Sequence, residues 1–318
     1  MIRISAIICT FKRPDYLRHA VRSLCEQSLP CDQYEVIVVD NAVEAAAEQV
    51  VKEFEDGRVN LRYVPEERVG LSRARNTGLK AAAGRYVAYI DDDARADSHW
   101  LEALVVAFEK ASPAPAAVGG RVWLDWHGEK PSWVPEQHLS LYTYVDHGNA
   151  AHLLVNGEYL VGANLAFEKH ALLLVRGFDP KLGRQGTVLL SGEESAIIAQ
   201  LQELGRGVYY EPAAVVWHSV DESRQRPSWL LRRLFWDGAS QPLIDAPARA
   251  RSRRVTSLNA YRDLRQCGRW SGEILVSILR GRRGPAWESL LGLSQRVGRL
   301  RTEVRMLAWN SDWNRQSL

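Results

Sequence analysis

Three consecutive aspartates, Asp91, Asp92 and Asp93, end the apolar run YVAYI. Adjacent carboxylates repel one another. The cluster is therefore either a solvated turn, with an acid starting the next helix, or the ligand set of a cation. Oxygen donors suit Mg²⁺ or Mn²⁺, and an ion held by one or two carboxylates completes its shell with water and phosphate oxygens. Asp40 ends a second apolar run, YEVIVVD. It reads as a cap for the following helix or as an acceptor for the N3–H of a uracil or thymine ring, with Arg13 and the backbone of CTFKRP nearby. Glu193 and Glu194 open a helix in GEES, where acids complement the helix dipole. Pressed into a pocket beside another acid, one of them becomes a general base toward a hydroxyl. His218 in VVWHS is either a satisfied structural histidine or, beside a metal–diphosphate site, a ligand.

These residues need elements to carry them. IRISAIIC, YEVIVVD, VNLRYV, RYVAYI and AAVGGRVWL are short apolar, β-favouring runs. Between them, YLRHAVRSLCEQ, AVEAAAEQVVKEF, GLSRARNTGLKAAAG and SHWLEALVVAFEKA place apolar residues at helical spacing. Pro14 and Asp15 start the first helix, Gly84 closes the third and Ser98 caps the fourth. Alternation of this kind predicts a mostly parallel sheet with right-handed crossovers, whose ligands bind at the carboxyl ends of the strands. Thr10, Asp40 and Asp91–Asp93 fall at three such ends. From Asp125 to Tyr159 the periodicity weakens and aromatics accumulate, which predicts an acceptor-facing insertion or a loop. A strand and helix in YLVGANLAFEKHALLLV follow, then a glycine-rich loop over 177–192 that could close over a ligand. Next come the GEES helix and a strand pair, GVYYEP and AVVWHS.

The net charge of +3 over 318 residues hides an asymmetry. Residues 1–221 hold 22 Lys and Arg against 30 Asp and Glu; residues 222–318 hold 19 Arg, no Lys and eight acids. The change marks a candidate domain boundary at 221/222. The basic part carries Trp229, Trp236, Trp270, Trp287, Trp309 and Trp313. Within it PSWLLRRLFWDG reads as an amphipathic helix. It either caps the first domain or lies on an anionic membrane surface. Nothing resembles a nucleic-acid reading module, so no nucleic-acid partner is expected. No apolar run reaches the roughly 18–20 residues of a membrane span, and the N-terminus lacks the pattern of a secretion signal. The four cysteines form no CxxC pair. The expected location is the cytoplasm, with peripheral attachment to the cytoplasmic face of a membrane as a possibility left open by the basic helices.

Taken in order, SAIICTFKRP, EVIVVDNA, VGLSRARNTGLKAAAGRYVAYIDDDA, VGANLAFEK, GFDPKLGRQG, GEES and EPAAVVWHS closely resemble the inverting family 2 glycosyltransferases, over residues 2–219. The resemblance implies the GT-A fold, a Rossmann-like, mostly parallel sheet flanked by helices, here with a helical basic extension over 222–318. It implies a nucleoside-diphosphate sugar donor, UDP- or dTDP-linked, and a glycan or lipid-linked acceptor in cell-surface polysaccharide assembly. It implies a Mn²⁺ or Mg²⁺ ion on Asp93 and His218, with Asp91 near the ribose and metal. On the nucleotide side it places Thr10, Phe11, Arg13, Asp40, Arg75, Asn76, Asp91 and Asp92. Gly162, Ala163 and Asn164 fall beneath the donor sugar, and Glu194 falls at the catalytic base, with Glu193 as the alternative. The usual second acid of that motif is aspartate, so the base here reaches one methylene further. The competing readings are a nucleotidyltransferase of related fold, which would show a phosphate loop after the first strand, and a catalytically inactive carbohydrate-binding relative. A dehydrogenase is disfavoured, because no GxGxxG follows the first strand.

Overall fold

The computed structural model describes residues 1–245 and 253–308. In chain order the elements are β1 (Ile4–Thr10), α1 (Pro14–Cys25), β2 (Tyr34–Asp40), α2 (Ala45–Glu53), β3 (Asn60–Pro65), α3 (Leu71–Ala81), β4 (Tyr86–Asp91), β5 (Ala94–Ala96) and α4 (Trp100–Lys110). They continue with β6 (Pro115–Trp126), β7 (His152–Leu153), β8 (Leu165–Glu168), α5 (Lys169–Leu174), α6 (Glu193–Glu203), β9 (Gly207–Val220), α7 (Pro227–Ile244), α8 (Arg253–Leu279) and α9 (Arg283–Ala308). The described residues form two compact units, one of residues 1–180 with 194–221, the other of 181–193 with 222–308.

In the first unit one sheet runs β3-β2-β1-β4-β8-β6-β9-β5, with β7 on β9. The β1, β2, β3 and β4 strands run parallel to one another; β8 enters antiparallel between β4 and β6, and β9 returns parallel to β6. Every residue of β2 is buried, as expected of a strand covered on both faces. The two faces of the sheet separate two cores: Ile4, Ala6 and Ile8 pack toward α1, α2 and α4, while Ile7, Val39 and Tyr89 pack toward α3 and α6. The register sets Thr10 opposite Asp40 and Cys9 opposite Asp91. The three polar strand ends thus share one edge.

Three local expectations need correction. Gly84 does not close α3, which ends at Ala81. A Cβ at Gly84 would come within 2.8 Å of Ile4 C and closer still to Ser5 N, so glycine is there for the approach to β1. Ser98 does not cap α4; the Asp97 side chain accepts from His99 N instead. GVYYEP and AVVWHS are one 14-residue strand with an irregularity opposite Gly120/Arg121, not two. The aromatic stretch after Asp125 is packed: Tyr142 is buried in a short 3₁₀ helix with its ring 5.1 Å from Trp126, and Val122 bridges to Val145.

The second unit is helical. The PSWLLRRLFWDG segment begins α7, which uses Leu230 and Leu234 as interior residues. Its Gly238, and Gly298 of α9, let the two helices meet backbone to backbone. The stripe that stays exposed lies on α8, where Tyr261, Leu264, Leu275 and Leu279 are 58–77% exposed. Trp309 and Trp313 lie outside the described residues. Among the described residues no helix is long and apolar enough to cross a membrane.

Candidate active site

The site grows from the ends of β1 and β4. Thr10 donates to Asp92 at 2.8 Å, and Arg13, just before the Pro14 start of α1, reaches Asp93 at 2.8 Å and Asp92 at 3.4 Å. The middle aspartate therefore turns inward. Burial first, and then the charge of Asp93, push its carboxyl up, while Arg13 and Thr10 pull the other way. Its neighbours face differently. Asp93 uses its backbone oxygen to bind Ser219 N, which fixes β5 against β9, and its carboxylate lies 3.2 Å from His218 Nε2. Asp91, Asp93 and His218 each offer one ligand atom, all within 4.8 Å of one another. Two carboxylates and an imidazole are a donor set that suits Mn²⁺, and the two carboxylates alone suit Mg²⁺. The residues present fit the ion that the resemblance implied.

A second group joins this cluster through Arg75. Its guanidinium is 3% exposed; Nη1 donates to Glu194 Oε1 at 2.9 Å and Nη2 lies 3.6 Å from Asp91. Phe178 sits under it, 5.2 Å from ring centroid to guanidinium carbon. Glu194 Oε1 also accepts from Gly162 N at 3.1 Å. A side chain on Gly162 would overlap Arg75 Nη2 and Glu194 Oε1, so only glycine leaves the pair intact. The carboxylate of Glu194, 15% exposed, is held in one orientation beside the Arg75 guanidinium. Glu193, the alternative base, is buried in the second unit.

Three expected site residues are put to internal use. Asp40 is fully buried; its carboxylate accepts from Ala42 N, Glu44 N and Tyr63 at 2.8–3.0 Å and so folds the turn into α2. That is the capping role, one of the two readings open for this residue. Asn76 clamps the backbone of Phe178 in both directions, at 2.7 and 2.9 Å. Asn164 is fully buried, accepting from Trp100 Nε1 and donating to Arg121 O and Ala214 O. It pins the 3₁₀ turn of Gly162 and the buried Ala163. Phe11, by contrast, stays half-buried beside Lys12.

Several positioning residues escaped the sequence reading: Tyr63, Trp100, Phe178 and Asn41. Asn41 ties down Glu66 O, Arg68 O and Gly70 N at the mouth of α3. Their partners are 23–102 residues away, and no local spacing announces them. Cys9 at the end of β1 is no rival nucleophile, because burial pushes its thiol up to about 12. All four cysteines are free.

Comparison with known proteins decides the family. The model described as Glycosyl transferase family 2 matches residues 5–153. A glucosyl-dolichyl phosphate glucuronosyltransferase of Haloferax volcanii is 31% identical over 248 residues, spanning 77% of this chain and 78% of its own. The chain belongs to glycosyl transferase family 2. Another similar member, the succinoglycan biosynthesis protein ExoM of Rhizobium meliloti, is 28% identical over 74% of this chain and 73% of its own. Among solved structures, the mannosyltransferase PcManGT of Pyrobaculum calidifontis in complex with GDP-Man and Mn²⁺ aligns with a TM-score of 0.62 at 18% identity, over 97% of this chain and 88% of its own. S. aureus TarS 1-349 in complex with UDP-GlcNAc aligns with a TM-score of 0.55 at 14% identity, over 92% and 91%. These two establish the shared GT-A architecture, and the family makes the chain a glycosyltransferase.

Proposed function

We propose that the protein moves a sugar from a nucleoside-diphosphate sugar, UDP- or dTDP-linked, to a hydroxyl of a glycan or lipid-linked acceptor, with inversion, in cell-surface polysaccharide assembly. The observation that carries this reading is Arg75, which binds Glu194 on one side and Asp91 on the other and so couples a carboxylate base to the candidate metal cluster. Relatives named as a glucosyl-dolichyl phosphate glucuronosyltransferase and as a succinoglycan biosynthesis protein, and neighbours holding GDP-Man or UDP-GlcNAc, support the substrate classes.

In this mechanism Asp91, Asp93 and His218 would hold Mn²⁺ or Mg²⁺. A divalent ion supplies electrostatic stabilisation of the charge that gathers on the leaving diphosphate. Glu194, oriented by Arg75 and Gly162 N, takes the proton of the acceptor hydroxyl as that oxygen attacks the anomeric carbon from the face opposite the diphosphate. One displacement inverts the centre and needs no enzyme nucleophile. Arg13 holds Asp93 and Asp92 in place, and Thr10 keeps the Asp92 carboxylate turned away from the reacting groups.

The membrane reading rests on α8. Tyr261, Leu264, Leu275 and Leu279 are exposed at helical spacing, with exposed Arg262, Arg265, Arg269 and Arg280 around them. An apolar stripe flanked by arginines matches an anionic bilayer surface, apolar groups entering the interface and guanidinium groups meeting headgroups.

The test is calorimetry of UDP, dTDP and GDP with Mn²⁺, followed by turnover of nucleotide sugars. Asp93→Ala is expected to abolish Mn²⁺-dependent binding, and Glu194→Gln to bind normally and turn over at least about 100-fold more slowly. Normal turnover by Glu194→Gln with inert Glu193→Gln would transfer the base role to Glu193. No nucleotide binding by the wild type would end the reading.

A further inference from the structure

A second opening lies outside the site above. It is a cleft of about 490 Å³ between the start of α1, β5 and the ends of β6 and β9. Trp217 and Ser219 alternate with His218 along β9, so the cleft is on the face of that strand opposite the imidazole. It nevertheless shares Asp93 with the candidate metal cluster.

The walls are ordered by contacts of their own. Tyr16 and His127 stack with centroids 6.4 Å apart, and His127 Nε2 lies 2.7 Å from Ser219 Oγ. Tyr16 also donates to Asp221 at 3.5 Å, and Arg95 lies over the Trp217 ring at 4.3 Å. The lining chemistry selects among ligands. Asp15 and Asp125 outnumber Arg95, the one arginine in the lining, so a phosphate or a nucleotide meets repulsion. Ala94 is the only aliphatic residue of the lining, so a lipid chain finds no apolar trough. What remains are aromatic rings, whose electron-rich faces attract polarised C–H groups, set among carboxylates and histidines that accept from hydroxyls. An uncharged sugar presents both kinds of surface, and the volume lies in the range of small-ligand sites, about 300–1,000 Å³.

We propose that this cleft is a subsite for an uncharged sugar unit of the acceptor glycan. The proposal rests on the transferase reading for the word acceptor, and on the cleft alone for the word sugar. Through Asp93 the subsite touches the reacting centre, so a bound acceptor residue there favours a glycan at least two units long over a single sugar.

Saturation-transfer NMR with cellobiose, maltose, lactose and chitobiose in turn tests it. At least one disaccharide is expected to bind saturably, with affinity lowered tenfold or more in Asp125→Ala and in Tyr16→Ala and unchanged by excess inorganic phosphate. Asp125 is exposed, so its replacement leaves the fold in place. Affinity for UDP with Mn²⁺ should stay within twofold in both variants. Absence of binding by all four disaccharides, equal binding by both variants, or displacement by phosphate would overturn the subsite. Disaccharide binding that survives while the wild type fails to bind any nucleotide would overturn the transferase reading and leave the sugar site standing.

Discussion

Gly162→Ala isolates the geometry of the base with one methyl group. The Cβ would fall on Arg75 Nη2 and Glu194 Oε1. Non-bonded heavy atoms rest about 3.5–4.0 Å apart, so the Arg75–Glu194 pair, now at 2.9 Å, must shift by roughly 1 Å to make room. Gly162 is not in the left-handed region, so alanine adds no backbone strain and the effect is steric alone. A misplacement of about 1 Å in a catalytic group costs on the order of 100-fold, or about 2.7 kcal/mol of transition-state stabilisation. The expectation is a fall of that size in kcat for sugar transfer, followed by nucleoside diphosphate release, with the KM for donor within about threefold. Overpacking costs about 1–3 kcal/mol of stability, so the assay runs well below the melting temperature of the variant. Turnover within twofold of wild type would refute the claim that the Gly162–Arg75–Glu194 contact positions the base. A raised KM with unchanged kcat would move Gly162 from positioning the base to ground-state binding.

Other expectations follow from neighbouring contacts. Trp100→Phe keeps a large buried ring but leaves Asn164 Oδ1 without its donor; it should cost about 1–3 kcal/mol and lower Tm in thermal denaturation, while an unchanged Tm would mean the bond is idle. Asn76→Ala removes both bonds to the Phe178 backbone; kcat should fall with Tm, and near-normal values of both would show that the loop holds itself. Burial, with help from Asp40, pushes the Tyr63 hydroxyl up to about 12. The unfolded chain then loses this proton first, so this group's contribution to stability is constant below about pH 10 and falls from about 10 toward 12, a decline that Tyr63→Phe should make shallower in pH-dependent denaturation. Finally, Leu275→Asp with Leu279→Asp should abolish co-sedimentation with anionic vesicles and leave nucleotide affinity unchanged; binding equal to wild type would remove α8 as a membrane contact.

The alternation of apolar runs with helical segments was enough to predict the sheet, because burial on both faces writes itself into consecutive residues such as YEVIVVD. Two of the three candidate metal residues, Asp91 and Asp93, stand where the chain changes from apolar to acidic side chains after β4; His218 lies inside β9 and has no such local signal. What each polar residue does was decided by distant partners. The internal bonds of Asn76 and Asn164, which clamp Phe178 and pin Trp100, had no local signal, because a buried polar atom must find a partner wherever the tertiary structure offers one. The same holds for α7 and α8. Both carry apolar residues among arginines, and only packing of α7 against α9 shows which stripe is covered and which remains open. Arg75 is the clearest instance: nothing in SRARN announces that it spans Asp91 and Glu194, 119 residues from the latter. Local sequence sets which surfaces must be buried and where charge can stand; the fold alone selects which of those charges meet.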